Sequence, residues 1–436
     1  MTEREILFNG ARGPEILRIP AWVEPFEIRP AQVEPLADPA GTLLAHLEQW
    51  EKAFPVGGLP LKPGASTALV VSDAFRKTGV HLYLPELLDW LEARGIPSGR
   101  VHALFASGAH RSPTREEAQA ILGDRAWRRL APRLIFHDPE NYGAMVFTGT
   151  TSRGTPVWIN RYLVESENVI VTGAVVPHYF AGFGGGPKSI VPGLAGLETI
   201  AANHSLTLDP GEDRVNPAVR IGVIQGNPVA EDIREAAAAV PVSLLVNAVM
   251  TPDGRAVACL FTGDAAATHA AACDWIRGHY MPEITSRADI VVASAGHAAN
   301  FLQSHKALYN AWQACVSDGM VVLDAPCPEG LGGVRFDRWL ALGSVYEVAR
   351  HLRGSPEING QTALSTLSRA PRTILVSGLD DETGRLLRME RADTVTAGVR
   401  RAVERLRREG RSGPLSMALM AEAACCVPKA VKSIHR

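Results

Sequence analysis

Short β-branched runs alternate with longer amphipathic stretches along most of the chain, the pattern of layered α/β structure. "TALVVSD" (67–73), "RVHALFASGAH" (100–110), "PRLIFHD" (132–138) and "ENVIVTGAVVPH" (167–178) each read as a strand that ends in polar residues. Between them, "LPELLDWLEARGI" (84–96) spaces its apolar residues at helical period. "SPTREEAQAILGD" (112–124) opens on a capping residue, Ser112 or Thr114, with Glu116 and Glu117 in the first turn. "FTGDAAATHAAACDWIRGHY" (261–280) reads as a helix leading into a hinge, after which the theme repeats: strand 288–297, helix 300–316, strand 319–333 with a glycine-rich exit, strand 372–379. The fold class expected is therefore α/β, with two domains, each a largely parallel sheet with flanking helices, and an active site in the cleft between them. The boundaries expected are 1–278 for the N-terminal domain and 279–415 for the C-terminal domain. The pattern leaves open which domain takes the helical stretch 393–409 and the terminal segment 416–436.

Composition narrows the function. At 436 residues and 46% hydrophobic content the chain can build two substantial cores. A formal net charge of −2 provides no basic field for nucleic acid or acidic lipid. No run of eighteen apolar residues occurs, and "MTEREILFNGARG" is too charged for a signal peptide, so no membrane partner and a cytoplasmic location are expected. The six cysteines show no CxxC spacing and read as buried free thiols.

Open parallel sheets bind ligands beyond the carboxyl ends of their strands, and Asp73, His110 and His178 fall at such ends. Two imidazoles there could serve as general base and general acid on opposite faces of one substrate. His46, His81, His102, His269, His279, His351 and His435 read as ordinary structural or surface histidines. The stretch "VVPHYFAGFGGGPKSIVPG" (175–193) is the densest signal. It is not a P-loop: "GFGGGPKS" is one residue short, and Pro187 removes an amide donor before Lys188. Its glycines imply positive φ or close approach of the backbone to something, and Lys188 could clamp an anion or form a covalent link. His204 ends the helical "LAGLETIAANH". It could ligate a metal only if other donors come from a cofactor. Asp73 with Arg76, and Gln303 with Lys306 three residues later on one helical face, could hold a carboxylate.

"SGAHRSPTREE", "VPHYFAGFGGGPKSIVPG", "TIAANHS" and "NFLQSHK", in that order, resemble the nickel-dependent lactate racemase family. The resemblance runs from about Val70 to about Gly378 and is most specific between His178 and His204. It implies a nickel-pincer nucleotide tethered to Lys188, with nickel on His204 as the single protein ligand and Gly184, Gly185 and Gly186 letting the backbone approach the ring. It further implies His110 and His178 as acid/base residues, Asp73 and Arg76 beside the cofactor, and Arg76, Leu302, Gln303, Lys306 and Gln361 around the substrate. The activity implied is racemisation or epimerisation of a 2-hydroxy acid: a histidine takes the hydroxyl proton as hydride leaves C2 for the pincer ring, and hydride returns to the other face. The partners implied are that small acid and the cofactor-maturation enzymes.

The chain departs from the family where substrate would sit. Leu302 stands where the lactate enzymes carry tyrosine, Gln361 where they carry tryptophan, and "DAFRK" (73–77) replaces a pattern like "DxTRP". These changes imply a roomier or more polar pocket and a substrate other than lactate. A nicotinamide-dependent 2-hydroxy-acid oxidoreductase would need GxGxxG after the first strand, which is missing. A two-domain protein that only binds an anionic small molecule would leave the three histidines without work.

Overall fold

In the computed structural model, which describes residues 2–55 and 57–431, the first strand of either main sheet, β1 (Val23–Glu27), pairs in parallel with the last, Leu415 lying opposite Val23. Six further strands form the other sheet: β2 (Thr67–Ser72), β3 (Val101–Ala106), β4 (Leu134–Phe136), β5 (Asn168–Ala174), β6 (Leu244–Met250) and β7 (Val257–Gly263). Their order is β7-β6-β5-β2-β3-β4, and only the β6/β7 pair is antiparallel. Strands β2, β5 and β6 are buried along nearly their whole length, as continuous apolar runs require. The second sheet adds β8 (Ala288–Ser294), β9 (Cys315–Asp324), β10 (Thr373–Val376), β11 (Glu390–Arg391) and β12 (Leu415–Met420) in the all-parallel order β11-β10-β9-β8-β12-β1.

Helices α1 (Pro39–Glu51), α2 (Leu84–Glu92) and α3 (Arg115–Leu130) cover one face of the first sheet through Leu43, Leu87, Leu91 and Leu122. The cap at α3 is Thr114: its hydroxyl accepts from the Glu117 amide and the Glu117 carboxylate accepts from the Thr114 amide. Helices α4 (Leu197–Ser205) and α5 (Pro228–Ala237) belong to the same unit. Helix α6 (Ala265–His279) starts later than its sequence pattern suggests, because Phe261–Gly263 complete β7 and Asp264 caps the helix. On the second sheet, α7 (Phe301–Ala314) and α8 (Ile358–Arg369) share one core. Helix α9 (Val395–Arg408) packs with the other through Val399, Ala402 and Leu406.

The two units are discontinuous in sequence, which corrects the expected boundaries. One contains Val33–Leu206 and Ala218–Ile276; the other takes the chain up to Gln32, Thr207–Pro217, and everything from Arg277. Residues 1–32 therefore leave the expected N-terminal domain. The cause is pairing: "VEPFE" is short, half polar and interrupted by proline, so nothing local declares it a strand. The described part of the terminal segment, up to Val431, belongs to the second unit, with β12 inside its sheet and Lys429–Ala430 pairing with Glu283–Ile284. Residues 432–436, including His435, lie outside the described residues. Among the described residues no helix is long and apolar enough to cross a membrane.

Candidate active site

Strands β5, β2 and β3 are neighbours and parallel, so their carboxyl ends share one edge of the first sheet. Asp73 follows β2 and is 2% exposed. Its Oδ2 lies 2.6 Å from His110 Nδ1, and its Oδ1 accepts from the Phe75 amide at 3.2 Å. With the Nδ1 proton donated to the carboxylate, the lone pair of the neutral His110 ring sits on Nε2. The His110 side chain is 38% exposed, so a ligand can reach it. Asp73 thus anchors an imidazole from behind. Arg76 is exposed on the same turn, its amide donating to the Asp73 carbonyl at 3.2 Å.

His178 is held differently. Its Nδ1 accepts from the amides of Phe180 and Ala181, each at 3.2 Å, which places the proton of the neutral ring on Nε2. The loop doubles back so that Pro177–His178 pairs with Gly182–Phe183. Tyr179 stacks on the imidazole, ring centroids 5.0 Å apart and ring planes nearly parallel.

The glycine-rich run is explained by the chain itself. A Cβ on Gly185 would come within 2.8 Å of Val175 Cγ2, and one on Gly186 within 2.6 Å of the His269 ring; both residues have positive φ. Gly184 has ordinary φ but only 3.3 Å to Val176 Cγ2. His269 Nε2 donates to the Gly184 carbonyl at 3.0 Å, and Asn247 Oδ1 accepts from the Gly186 amide at 3.2 Å. The close approach foreseen for a cofactor is therefore already required by packing. At the loop's end the Gly108 amide donates to the Gly193 carbonyl at 2.9 Å, joining the His110 loop to the glycine-rich one.

Lys188 is half-buried in the turn Gly186–Ser189. His204 lies on α4, 2% exposed, and its Nδ1 donates to the Ile200 carbonyl at 2.7 Å. Burial first, and then the Lys188 charge, bring its pKa down to about 4 against the opposing Ile200 hydrogen bond. The ring is neutral at pH 7 with its lone pair on Nε2. Its neighbour Asn203 donates to Asp232 Oδ2 at 2.8 Å and to the Val229 carbonyl at 3.2 Å. Asp232, fully buried, also accepts from Thr151 Oγ1 at 2.5 Å and Thr155 Oγ1 at 2.9 Å. Asn203, Asp232 and Asn247 are positioning residues that pattern reading passed over, and His269, read as an ordinary structural histidine, holds the glycine-rich loop. The one available signal was Asp232, an acid on the buried stripe Val229, Ile233, Ala236 of α5.

The remaining candidates lie in the second unit. Gln303 is exposed in the first turn of α7, where its Oε1 accepts from the Ala299 amide at 3.1 Å, and Lys306 is exposed one turn on. Leu302 is half-buried against the core of that unit. Gln361 is 1% exposed on α8, so protein encloses the side chain that was expected to face substrate.

A family model described as the lactate racemase N-terminal domain matches residues 17–215. The lactate racemase of Lactiplantibacillus plantarum is 30% identical over 308 residues, covering 68% of this chain and 70% of its own. The chain belongs to the lactate racemase family. Named members of that family are isomerases. The lactate racemase of Thermoanaerobacterium thermosaccharolyticum is 32% identical over 274 residues, 62% of each protein, so the match spans less than two thirds of that relative. The fold agrees over the full length: the solved lactate racemase apoprotein from that organism superposes with a TM-score of 0.83 at 24% identity, covering 98% of this chain and 100% of its own. A Thermotoga maritima protein superposes at 0.64 and 18% identity, covering 88% and 97%.

Proposed function

We propose that this chain racemises or epimerises a 2-hydroxy acid other than lactate, using a nickel-pincer nucleotide tethered to Lys188. The observation that carries the reading is His204 itself, 2% exposed with Nδ1 fixed on the Ile200 carbonyl and its proton affinity lowered by burial and, after that, by the Lys188 charge.

The residues present fit such a group. A pincer brings its own donors and needs one further ligand; among the described residues no group of three or more His, Cys, Asp or Glu could hold a metal ion. His204 offers Nε2 with Nδ1 fixed on a carbonyl, the arrangement that orients a metal-bound imidazole. Lys188 supplies the amine for the link. What the bound group would supply is a reversible hydride acceptor for C2.

This chain's residues do the rest. His110 takes the hydroxyl proton at Nε2, because Asp73 holds the other ring proton on Nδ1. His178 donates a hydrogen bond from its Nε2–H to the same oxygen from its own loop, and the proton that His110 took returns to that oxygen when the 2-hydroxy acid re-forms. Arg76 holds the carboxylate, so that the substrate keeps its place while the proton moves. The same reading makes cofactor-maturation enzymes its partners and the cytoplasm its location.

The test is intact mass and nickel content of protein made with and without those maturation enzymes. Maturation is expected to add mass and nickel; Lys188→Ala loses both, and His204→Ala loses nickel. No added mass and no nickel after maturation would leave only the anion-binding alternative.

A further inference from the structure

We propose that the substituent on C2 of the substrate is apolar and larger than methyl, an aryl or branched-alkyl group, and that Phe75 is the residue that selects it. The inference rests on the 2-hydroxy-acid reading above and adds the class of acid.

Phe75 is 45% exposed. A single exposed apolar side chain is ordinary on a protein surface. This one is not placed at random. Its amide is held by Asp73 Oδ1 while Asp73 Oδ2 holds His110, so one buried carboxylate fixes both the imidazole and the aromatic ring beside it. The two rings meet edge to face, centroids 5.2 Å apart at 66°. Anything that brings a hydroxyl to His110 Nε2 brings its neighbouring carbon substituent within reach of the Phe75 ring.

Two of the charged groups beside that ring, Arg111 and Asp73, are committed. The Arg111 guanidinium lies 5.1 Å from the ring centroid, but two of its nitrogens are each 2.6 Å from a Glu117 oxygen. Both Asp73 oxygens are in use. Arg76 is the candidate for the carboxylate. A polyol or second carboxylate on C2 would be desolvated against the Phe75 ring, whereas an apolar group gains from the same contact. The second acid/base ring repeats the arrangement, with Tyr179 stacked on His178. In sequence terms, Phe75 stands in the motif where the family pattern carries threonine.

The experiment compares kcat/KM of the matured enzyme for 3-phenyllactate, 2-hydroxy-4-methylpentanoate, lactate, malate and gluconate, with phenylpyruvate and pyruvate binding measured by calorimetry as a second readout. The expected result is a preference for the two bulky apolar acids over lactate of about 10- to 200-fold, the range an apolar contact provides. Phe75→Thr should reduce that preference about tenfold or more and weaken phenylpyruvate but not pyruvate binding; Phe75→Leu should keep the branched-alkyl acid. Malate or gluconate as the best substrate, or an unchanged preference and unchanged phenylpyruvate binding in Phe75→Thr, overturns the inference while leaving the racemase reading intact. Matured, nickel-loaded enzyme that turns over none of the five acids sinks both.

Discussion

The loops after β3 and β5 bring an imidazole to the same edge of one sheet and anchor it by opposite means. His110 gives its Nδ1 proton to a buried carboxylate; His178 takes two backbone amides on the same ring atom. The first therefore presents a lone pair on Nε2 and the second an N–H. Two residues of one type become an acceptor and a donor through their anchors alone. Asp73 is a side chain and can be replaced. The amides of Phe180 and Ala181 are part of the loop and cannot be removed without refolding it, so the two ends differ in how they can be tested.

The largest effect is expected from breaking the side-chain anchor. In Asp73→Asn the amide can donate to Nδ1 and leave the His110 proton on Nε2, the wrong tautomer for a base. Loss of the correct tautomer in a comparable carboxylate–imidazole pair costs about 10⁴ in turnover. Racemisation should fall by about 10³- to 10⁴-fold with nickel retained, since Asp73 is not placed on the metal. A loss below tenfold would mean that the carboxylate does not set the ring.

Next comes the comparison of like substitutions at the two ends. Glutamine keeps an N–H donor and discards the base. His178→Gln should lose about 10- to 100-fold and His110→Gln about 10³-fold or more, within the range that positioned proton carriers supply. Both should keep their nickel. Equal losses would show that the anchors do not distinguish the two rings, and normal turnover in either would end the two-histidine scheme.

Much of this arrangement is legible in the sequence because it is local. Polar tips after apolar runs mark Asp73, His110 and His178 as strand-end residues, and the glycine spacing marks a loop with unusual backbone. What joins these pieces is not local. The Asp73–His110 contact spans two strands, and no periodicity encodes it. Gly185 and Gly186 announce constrained backbone but not that Val175 and His269 are what crowd them. The origin of β1 in the second sheet depends on pairing with Leu415–Met420, and five half-polar residues carry no such instruction. Asp232 lay in plain view on an apolar stripe, yet its partners Thr151, Thr155 and Asn203 come from elsewhere in the chain.

Asp232 offers a perturbation that touches neither imidazole anchor. Asp232→Ala strands three donors in the interior and should destabilise the first unit by about 3 kcal/mol, the lower end of what several unsatisfied buried groups cost. Because Asn203 precedes His204 on α4, the variant should also bind nickel more weakly while keeping the mass added at Lys188. Wild-type nickel affinity together with wild-type stability to urea would show that this network does not position the ligand helix.

The smallest effect concerns His204, the third anchored imidazole and the one that is fully enclosed. Its pKa is about 4 in the folded state against about 6.5 for an unhindered histidine, so between those values the unfolded chain binds more protons than the folded one. Stability supplied by the neutral ring is complete above pH 6.5 and is lost as pH falls towards 4. At 1.36 kcal/mol per unit, the loss from pH 7 to pH 5 is about 2 kcal/mol for this residue. His305 in the second unit, buried beside Arg369 and pushed down to about 3, gives a slope of the same sign, so the absolute curve does not isolate His204. The difference between wild type and His204→Gln does. Urea midpoints of the apoproteins should converge by about that amount as pH falls from 7 to 5, with the variant the flatter of the two. Parallel curves would mean that His204 carries a proton in the folded protein at pH 5. The lone pair reserved here for nickel would then be occupied, and the assignment of residue 204 would fail along with it.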